Sequence, residues 1–442
     1  MRKKATLILL LLAALWLPAA GQAAAPDSPP IRVGIWANQV NIRVAASTEY
    51  SLVDTGSRKV LGKFKAGEKT LLSTKDARMT VNGTPVEARE IKLVLAKPGT
   101  AEVNSRSYRG EITIHRTKGK SGLTVVNTLP LEEYLYGIIA TEISPEWPAD
   151  AVRAQAVASR TYSLYNLGKH SDDGFDLCAG TDCQVYGGKD KEDPRAIRAV
   201  DETKGVAVTY QGKPIPAFFH SSGGGYTENS ENVWGTYFPF LRGVPDFDQK
   251  SPQFKWEKKL TPADLEDALA SAGVSVGKLQ TIELSPLTKP PVAGSPDRGV
   301  SGRVKKLRFT GTNGSVELTG TKFRTILGLN STLFDLQVVL PVEKAVEFEI
   351  TDNYGSRDKK KVEINVPPAP ERRLPTDKPA IRRIGGRPNE MIVITGAGWG
   401  HGVGLSQWGA KAMAEKAPRG DAAYFKEILK HYYPGTAIEK IY

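Results

Sequence analysis

The chain has 442 residues, 40% of them hydrophobic and 24% charged, which is globular composition with room for two or three cores and excludes an intrinsically disordered protein. Its net charge of +12 suits polyanionic partners.

The opening stretch, "MRKKATLILLLLAALWLPAAGQAAA", sets Arg2, Lys3 and Lys4 before an apolar run and ends on Pro18 and small residues. This is the pattern of a signal peptide over residues 1–25, cleaved near Ala23 to Ala25. The alternative is an uncleaved membrane anchor, because the uncharged run approaches spanning length. No other segment is apolar enough to cross a bilayer. Loss of three basic residues and no acidic ones leaves the mature chain at +9. An exported basic protein meets acidic wall polymers and lipid headgroups, not nucleic acid, so periplasm, cell wall or extracellular space is the expected location.

Residues 26–129 carry short alternating runs, "IRVGIW", "VNIRVA", "KLVLA", "GEITIHRT" and "GLTVVNTL", and read as a β-rich region. At Pro130 the period changes. "LPLEEYLYGIIATE" and "ADAVRAQAVASRTYSLYNL" read as two helices, the second with Pro148 and Asp150 in its first turn and alanines at 151, 154, 156 and 158 that allow close packing. "AIRAVDETKG" reads as a short helix, "VAVTYQGKPIPAFFHSS" and "RVKKLRFTGTNGSVELTG" as hairpins, and "GTKFRTILGL" as another helix. Residues 341–389 are rich in Lys, Arg and Pro. They read as a basic insertion or linker with a hairpin of its own, "AVEFEITDNYGSRDKKKVEINV". "EMIVITG" is then a strand, and the helices "LSQWGAKAMAEKA" and "DAAYFKEILKHYY" close the chain. The expected fold class is α+β: a β-rich region with a central helix pair and two C-terminal helices around a groove.

Two glycine clusters carry the chemistry. In "GAGWGHGVG", residues 396–404, no register yields the dinucleotide or P-loop spacing, which excludes a phosphate site. Strict alternation fits an extended segment with one bare face, which another backbone or a flat ligand approaches. "FFHSSGGGYTENSENVW" lacks the elbow of a serine hydrolase, so Ser221 and Ser222, with the adjacent glycines, are expected to line a groove. Glycine, serine, tyrosine and tryptophan together suit a polysaccharide, whose ring faces stack on aromatics and whose hydroxyls need donors and acceptors. Cys178 and Cys183, four residues between them, invite a disulfide in an oxidising compartment; with His170 upstream they invite a metal instead.

Four segments in this order, "LPLEEYLYGIIATEISPEWPADAVRAQAVASRTY", "CAGTDCQVYGG", "FFHSSGGGYT" and "GHGVGLSQWGAKAMA…ILKHYYPGT", resemble the stage II sporulation protein D (SpoIID) family of peptidoglycan lytic transglycosylases. The resemblance runs with gaps from residue 130 to 442, over residues 130–340 and 390–442. It implies cleavage between N-acetylmuramic acid and N-acetylglucosamine, the muramoyl 6-hydroxyl attacking to leave a 1,6-anhydro end on strands stripped of stem peptides. It assigns Glu142 as the single acid and base, with Glu146 as the fallback. Burial near Trp147 would raise the pKa of Glu142, whereas Arg153 and the next helix N-terminus would lower it. Substrate-binding residues are expected at Arg153, Arg160, Ser221, Ser222, Gly223, Gly224, Tyr226, Trp234, Trp399, His401 and Gln407. For the two arginines, structural pairing with acidic residues is the equal alternative, and for His401 a packing role is.

Some members of that family hold zinc near this loop. Here His170, Cys178 and Cys183 match, with Asp182 where relatives often have histidine; a Cys178–Cys183 disulfide is at least as well supported, and no cofactor is required for the chemistry. The family also contains enhancers of wall amidases, so the second expectation is a non-catalytic glycan binder that stimulates an amidase. A third makes residues 341–389 a scaffold for partner proteins or teichoic-type polymers.

Overall fold

Alternation of burial builds the first sheet: along the strand Pro30–Gln39, Ile31 and Val33 are buried while Pro30 and Arg32 face solvent. The structure, a computed structural model, describes residues 28–76, 78–340, 345–351, 357–363, 379–418, 420, 421 and 423–442. The expected signal peptide lies outside them. No helix among the described residues is long and apolar enough to cross a membrane.

In a seven-stranded sheet, Pro30–Gln39 pairs antiparallel with Leu123–Pro130, which pairs on its other side with Glu111–Arg116. The outer neighbour of Pro30–Gln39 is the two-residue strand Leu177–Cys178, in parallel register with Val33 opposite Leu177 and Gly34 opposite Cys178. A six-stranded sheet that includes Asn41–Ala46 and Thr70–Lys75 shares the same core, so Ile42, Leu72 and Val103 bury with Ile31, Ile91 and Ile112.

The described residues include α1 (Leu131–Glu142), α2 (Ala149–Tyr165), α3 (Pro194–Glu202), α4 (Ser230–Trp234), α5 (Pro262–Ser271), α6 (Gly320–Leu327), α7 (Gln407–Ala414) and α8 (Phe425–Tyr432). The strand Leu123–Pro130 runs straight into α1. The alanines of α2 at 151, 154, 156 and 158 are all fully buried, and with so little volume there α2 packs closely within the core it shares with residues of α1, α7 and α8. Strands and helices thus occupy one core from Ile31 to Tyr433, and the expected break at residue 130 is a change of secondary structure within it.

A second core divides the expected 130–340 stretch. Leu260, Leu265, Ile282, Phe309, Phe323 and Phe334 bury together with Ile392 and Ile394. Its sheets are Trp256–Leu260, Met391–Gly396 and Phe334–Val339, and Gly314–Thr319, Lys306–Gly311, Leu279–Leu284 and Ala380–Arg383. The hairpin of Ala345–Thr351 with Arg357–Glu363 forms as the sequence suggests. The linker ends sooner than expected, because Ala380–Arg383 is an edge strand and the half-buried Arg382 pairs with Asp335 at 2.7 Å. Part of the basic cluster is therefore internal structure and not a free scaffold. The helix α5 escaped sequence reading although "TPAD" announces it: Thr261 and Asp264 form a capping box.

Candidate functional site

Glu142 is the last residue of α1, where the chain leaves the helix through an extended Ile143. Its carboxyl enters a cavity of about 470 Å³ lined also by Tyr162, Val185, Phe218, Phe219, Trp234 and His401. Burial among these groups raises the carboxyl pKa above its ordinary value, opposed by a hydrogen bond that the carboxylate accepts from the Val185 backbone. The main chain beneath is held in place. Gln407 Nε2 donates to the Glu142 carbonyl at 2.9 Å and to Gln155 Oε1 at 3.3 Å, and Gln155 in turn donates to Ser159 Oγ at 3.0 Å. Gln407 therefore positions the end of α1, a correction to its expected role on substrate.

The other glutamates are committed elsewhere. Glu146 is 74% exposed at its side chain and pairs with Arg195 at 3.3 Å. Glu132 is buried at the opposite end of α1, ten residues and about 15 Å away along the axis. It receives Arg160 Nη2 at 2.7 Å, and the same guanidinium donates to the carbonyls of Val200 and Val206. Arg160 is fully buried with its donors used internally, so it contacts neither Glu142 nor a ligand. Arg153 pairs with Asp150 at 3.1 Å and with Glu202 at 2.7 Å. For both arginines the structural alternative holds.

The serine and glycine cluster also turns inward. Ser222 Oγ donates to Asp248, as do the N–H groups of Gly224 and Gly225 at 2.7 and 2.9 Å, while the Gly223 N–H donates to Asp246 at 2.9 Å. Both aspartates are buried, and Asp246 is pushed up to about 6 by burial and by Asp248 beside it. The Ser221 carbonyl accepts from the Trp408 N–H at 3.0 Å, and the Tyr226 carbonyl from Arg303 at 3.1 Å. Ser221, Ser222, Gly223, Gly224 and Tyr226 do not line the Glu142 cavity; these contacts fold the loop.

The run 396–404 is not an extended strand. Gly398, Gly400, Gly402 and Gly404 all have left-handed φ, between +71° and +107°. A Cβ on Gly402 would collide with the Arg303 guanidinium, and one on Gly404 with the Phe218 carbonyl. The glycines make room for the protein's own atoms, not for a sugar. Trp399 is exposed beside this loop and outside the cavity lining. His401 is at the cavity wall: its Nδ1 accepts from the Val403 N–H at 3.0 Å, and burial lowers its pKa to about 3, so the ring is neutral. It packs at 5.0 Å from Trp234, whose neighbour Phe218 lies 4.5 Å away. Of the expected binding residues, Trp234 and His401 line the cavity with Glu142. Phe218 and Phe219 were missed, although the tandem "FF" before the serines was their signal.

The cysteine loop forms the remaining wall, through Thr181, Asp182, Cys183 and Gln184. Both thiols are free. His170, Cys178, Asp182 and Cys183 bring ligand atoms within 4.8 Å of one another, His170 Nε2 lying 3.3 Å from Cys183 Sγ. The first strand sets this cluster: Arg32 bonds Asp176 at 2.8 Å and Gly34 leaves room for Phe175. Asp182, 67% exposed, is drawn to Lys169 at 2.9 Å, which holds its pKa below the usual value.

The family model described as "Stage II sporulation protein" (SpoIID) matches residues 119–210, which carry α1, Glu142 and the cysteine loop. A domain of unknown function matches residues 234–352, largely the second core. An uncharacterised protein of Brachyspira hyodysenteriae is 31% identical over 317 residues, 72% of this chain and 68% of that one. The amidase enhancer of Bacillus subtilis is 30% identical, and the chain spans only 40% of its length. The stage II sporulation protein D of Bacillus subtilis is 27% identical over 81% of this chain and 87% of its own. By the matched segment and by the length shared with these relatives, the chain belongs to the stage II sporulation protein D family.

Proposed function

We propose that this protein acts outside the cytoplasmic membrane on the bacterial cell wall, as a lytic transglycosylase of peptidoglycan strands. One observation carries the reading: Glu142 is a half-buried carboxyl with a raised pKa in a cavity walled by Trp234, Phe218, Phe219 and His401. A carboxyl whose pKa is raised holds its proton to higher pH and can give it to the glycosidic oxygen of the leaving N-acetylglucosamine as the C1–O bond breaks. The muramoyl 6-hydroxyl then attacks C1, closes the 1,6-anhydro ring and returns its proton to the Glu142 carboxylate. No water is consumed. Trp234 offers a ring face for a sugar, and neutral His401 backs it without adding charge.

The test is digestion of strands stripped of stem peptides by the parent and by Glu142→Gln, read by mass spectrometry. Anhydro ends from the parent, reduced at least about a hundredfold in the variant, support the reading. The likeness to the amidase enhancer favours a second one: glycan binding that stimulates a wall amidase. Binding with no anhydro product from either protein, and faster amide cleavage by an added amidase, would select it.

The His170, Cys178, Cys183 and Asp182 donors fit zinc, being one nitrogen, two sulfurs and one oxygen at tetrahedral reach. Zinc bound there would cross-link the loop that walls the Glu142 cavity. Elemental analysis should find about one zinc per chain. A metal-free protein without titratable thiols would instead mean the disulfide.

A further inference from the structure

Past Trp234 lies a second cleft, of about 190 Å³, lined by Asn232 and Gly235 at the α4 end and by Lys305, Thr319, Thr321 and Thr332 of the second core. We propose that this cleft is a saccharide subsite that takes one N-acetylated ring of the same strand whose scissile bond lies at Glu142; the inference rests on the glycan reading of the Glu142 cavity. The two spaces flank one helix. The helix α4 has five residues and borders both spaces, Trp234 facing the Glu142 cavity and its neighbours Asn232, Val233 and Gly235 the second cleft. Trp234, 44% exposed, stands between the two, so a polymer lying in the first cavity would pass its ring to reach the second.

The lining is rich in hydrogen-bonding groups. Lys305 Nζ places one hydrogen bond on the Ser295 carbonyl at 3.3 Å, and an ammonium has three donors. Thr319 Oγ accepts from the Lys322 N–H at 3.1 Å, which leaves its O–H to donate. Asn232 Nδ2 donates to Glu228 at 2.8 Å, and its carbonyl remains an acceptor. Glu231, also in the lining, is neutralised by Arg242, which lies 4.4 Å over the ring of the exposed Tyr237. Hydroxyls, an ammonium and an amide match the hydroxyl and acetamido groups of an amino sugar.

The cleft is also preformed. A Cβ on Gly320 would strike the Val304 carbonyl, so the bare glycine brings the start of α6 against residues 304 and 305. Backbone bonds from Gly320 to Lys305 and from Val304 to Thr332, both 2.9 Å, tie the walls together. The volume is below that of drug-sized pockets and suits a single ring. The second core then has a function: it lengthens the stretch of glycan that the protein grips.

The experiment measures binding of labelled, peptide-free glycan oligomers of increasing length to the full chain carrying Glu142→Gln, so that nothing is cut. Thr321→Trp fills the cleft from an exposed position, and Lys305→Ala removes the ammonium. The expected result is tighter binding of long than of short oligomers, with the long ones weakened about tenfold in either variant and the short ones changed less than about twofold. Coincident melting curves check the fold. Affinity independent of length, or variants that track the parent at every length, would overturn the subsite and leave the Glu142 reading standing. Absence of any glycan binding would overturn both.

Discussion

Glu142 closes a helix, and that position matters as much as its burial. The C-terminal end of α1 carries partial negative charge, which opposes ionisation in the same direction as the apolar walls. On the proposed mechanism the acid must be protonated, so kcat/KM should fall as pH rises through a Glu142 pKa above the ordinary glutamate value. For stability, a raised folded-state pKa means a contribution present at low pH and lost as pH rises through that value. Glu142→Gln should therefore raise the Tm at pH 7 and leave it nearly unchanged at pH 4, as scanning calorimetry would read. The sign reverses for His401, whose pKa falls from 6.5 to about 3. Between these values the unfolded chain binds a proton that the folded one does not, so stability drops on acidification. His401→Gln should flatten that part of the Tm profile against pH; an unchanged acid limb would count against the assignment.

At the scale of elements, the two glycine loops depend on groups that lie far away in sequence. Asp248 accepts from Ser222, Gly224 and Gly225, so Asp248→Ala strands one buried and two half-buried donors. A loss of at least about 3 kcal/mol in urea unfolding is expected. Gly402→Ala meets both a left-handed φ of +83° and the Arg303 guanidinium. It should cost about 1–3 kcal/mol or more by the same measurement. The alternation in "GAGWGHGVG" announced glycines under constraint but not their partner, because Arg303 belongs to another loop, about a hundred residues away in sequence. Likewise "DAVRAQAVASRTY" reads as a helix from its period, whereas the engagement of Arg160 with Glu132 depends on how α1 and α2 cross.

Over the whole molecule, the chain's end returns to the start of its helices. The strand Ala437–Lys440 pairs with Val206–Tyr210, and the Tyr442 hydroxyl donates to Glu132 Oε1 at 2.6 Å, beside Arg160. Arg160→Ala would leave the buried Glu132 without its ion-pair partner, and a destabilisation of about 3–5 kcal/mol is expected by denaturant unfolding, with the Glu142 cavity affected only through loss of fold. Removal of residues 437–442 should act at the same place, lowering the Tm and hastening proteolysis around α3. The second core joins the first through the strand Met391–Gly396, which leads into residues 396–404, so both cores bear on the wall that holds His401.

Local order in this protein follows from local rules. Apolar period, proline and glycine punctuation and capping residues determine the helices, most strands and the hairpins, and the family motif singles out Glu142 among its neighbouring glutamates. Tertiary structure alone decided which polar groups were spent on folding. Ser222, Gly223, Gly224, Arg153, Arg160 and Gln407 look like ligand-binding residues in sequence, but each has a partner tens to hundreds of residues away. Burying a donor or a charge is costly unless a partner meets it, and only the folded chain supplies that partner. Facing the cavity are a carboxyl at the end of a helix, two of a cluster of four metal-type donors and a wall of aromatic rings.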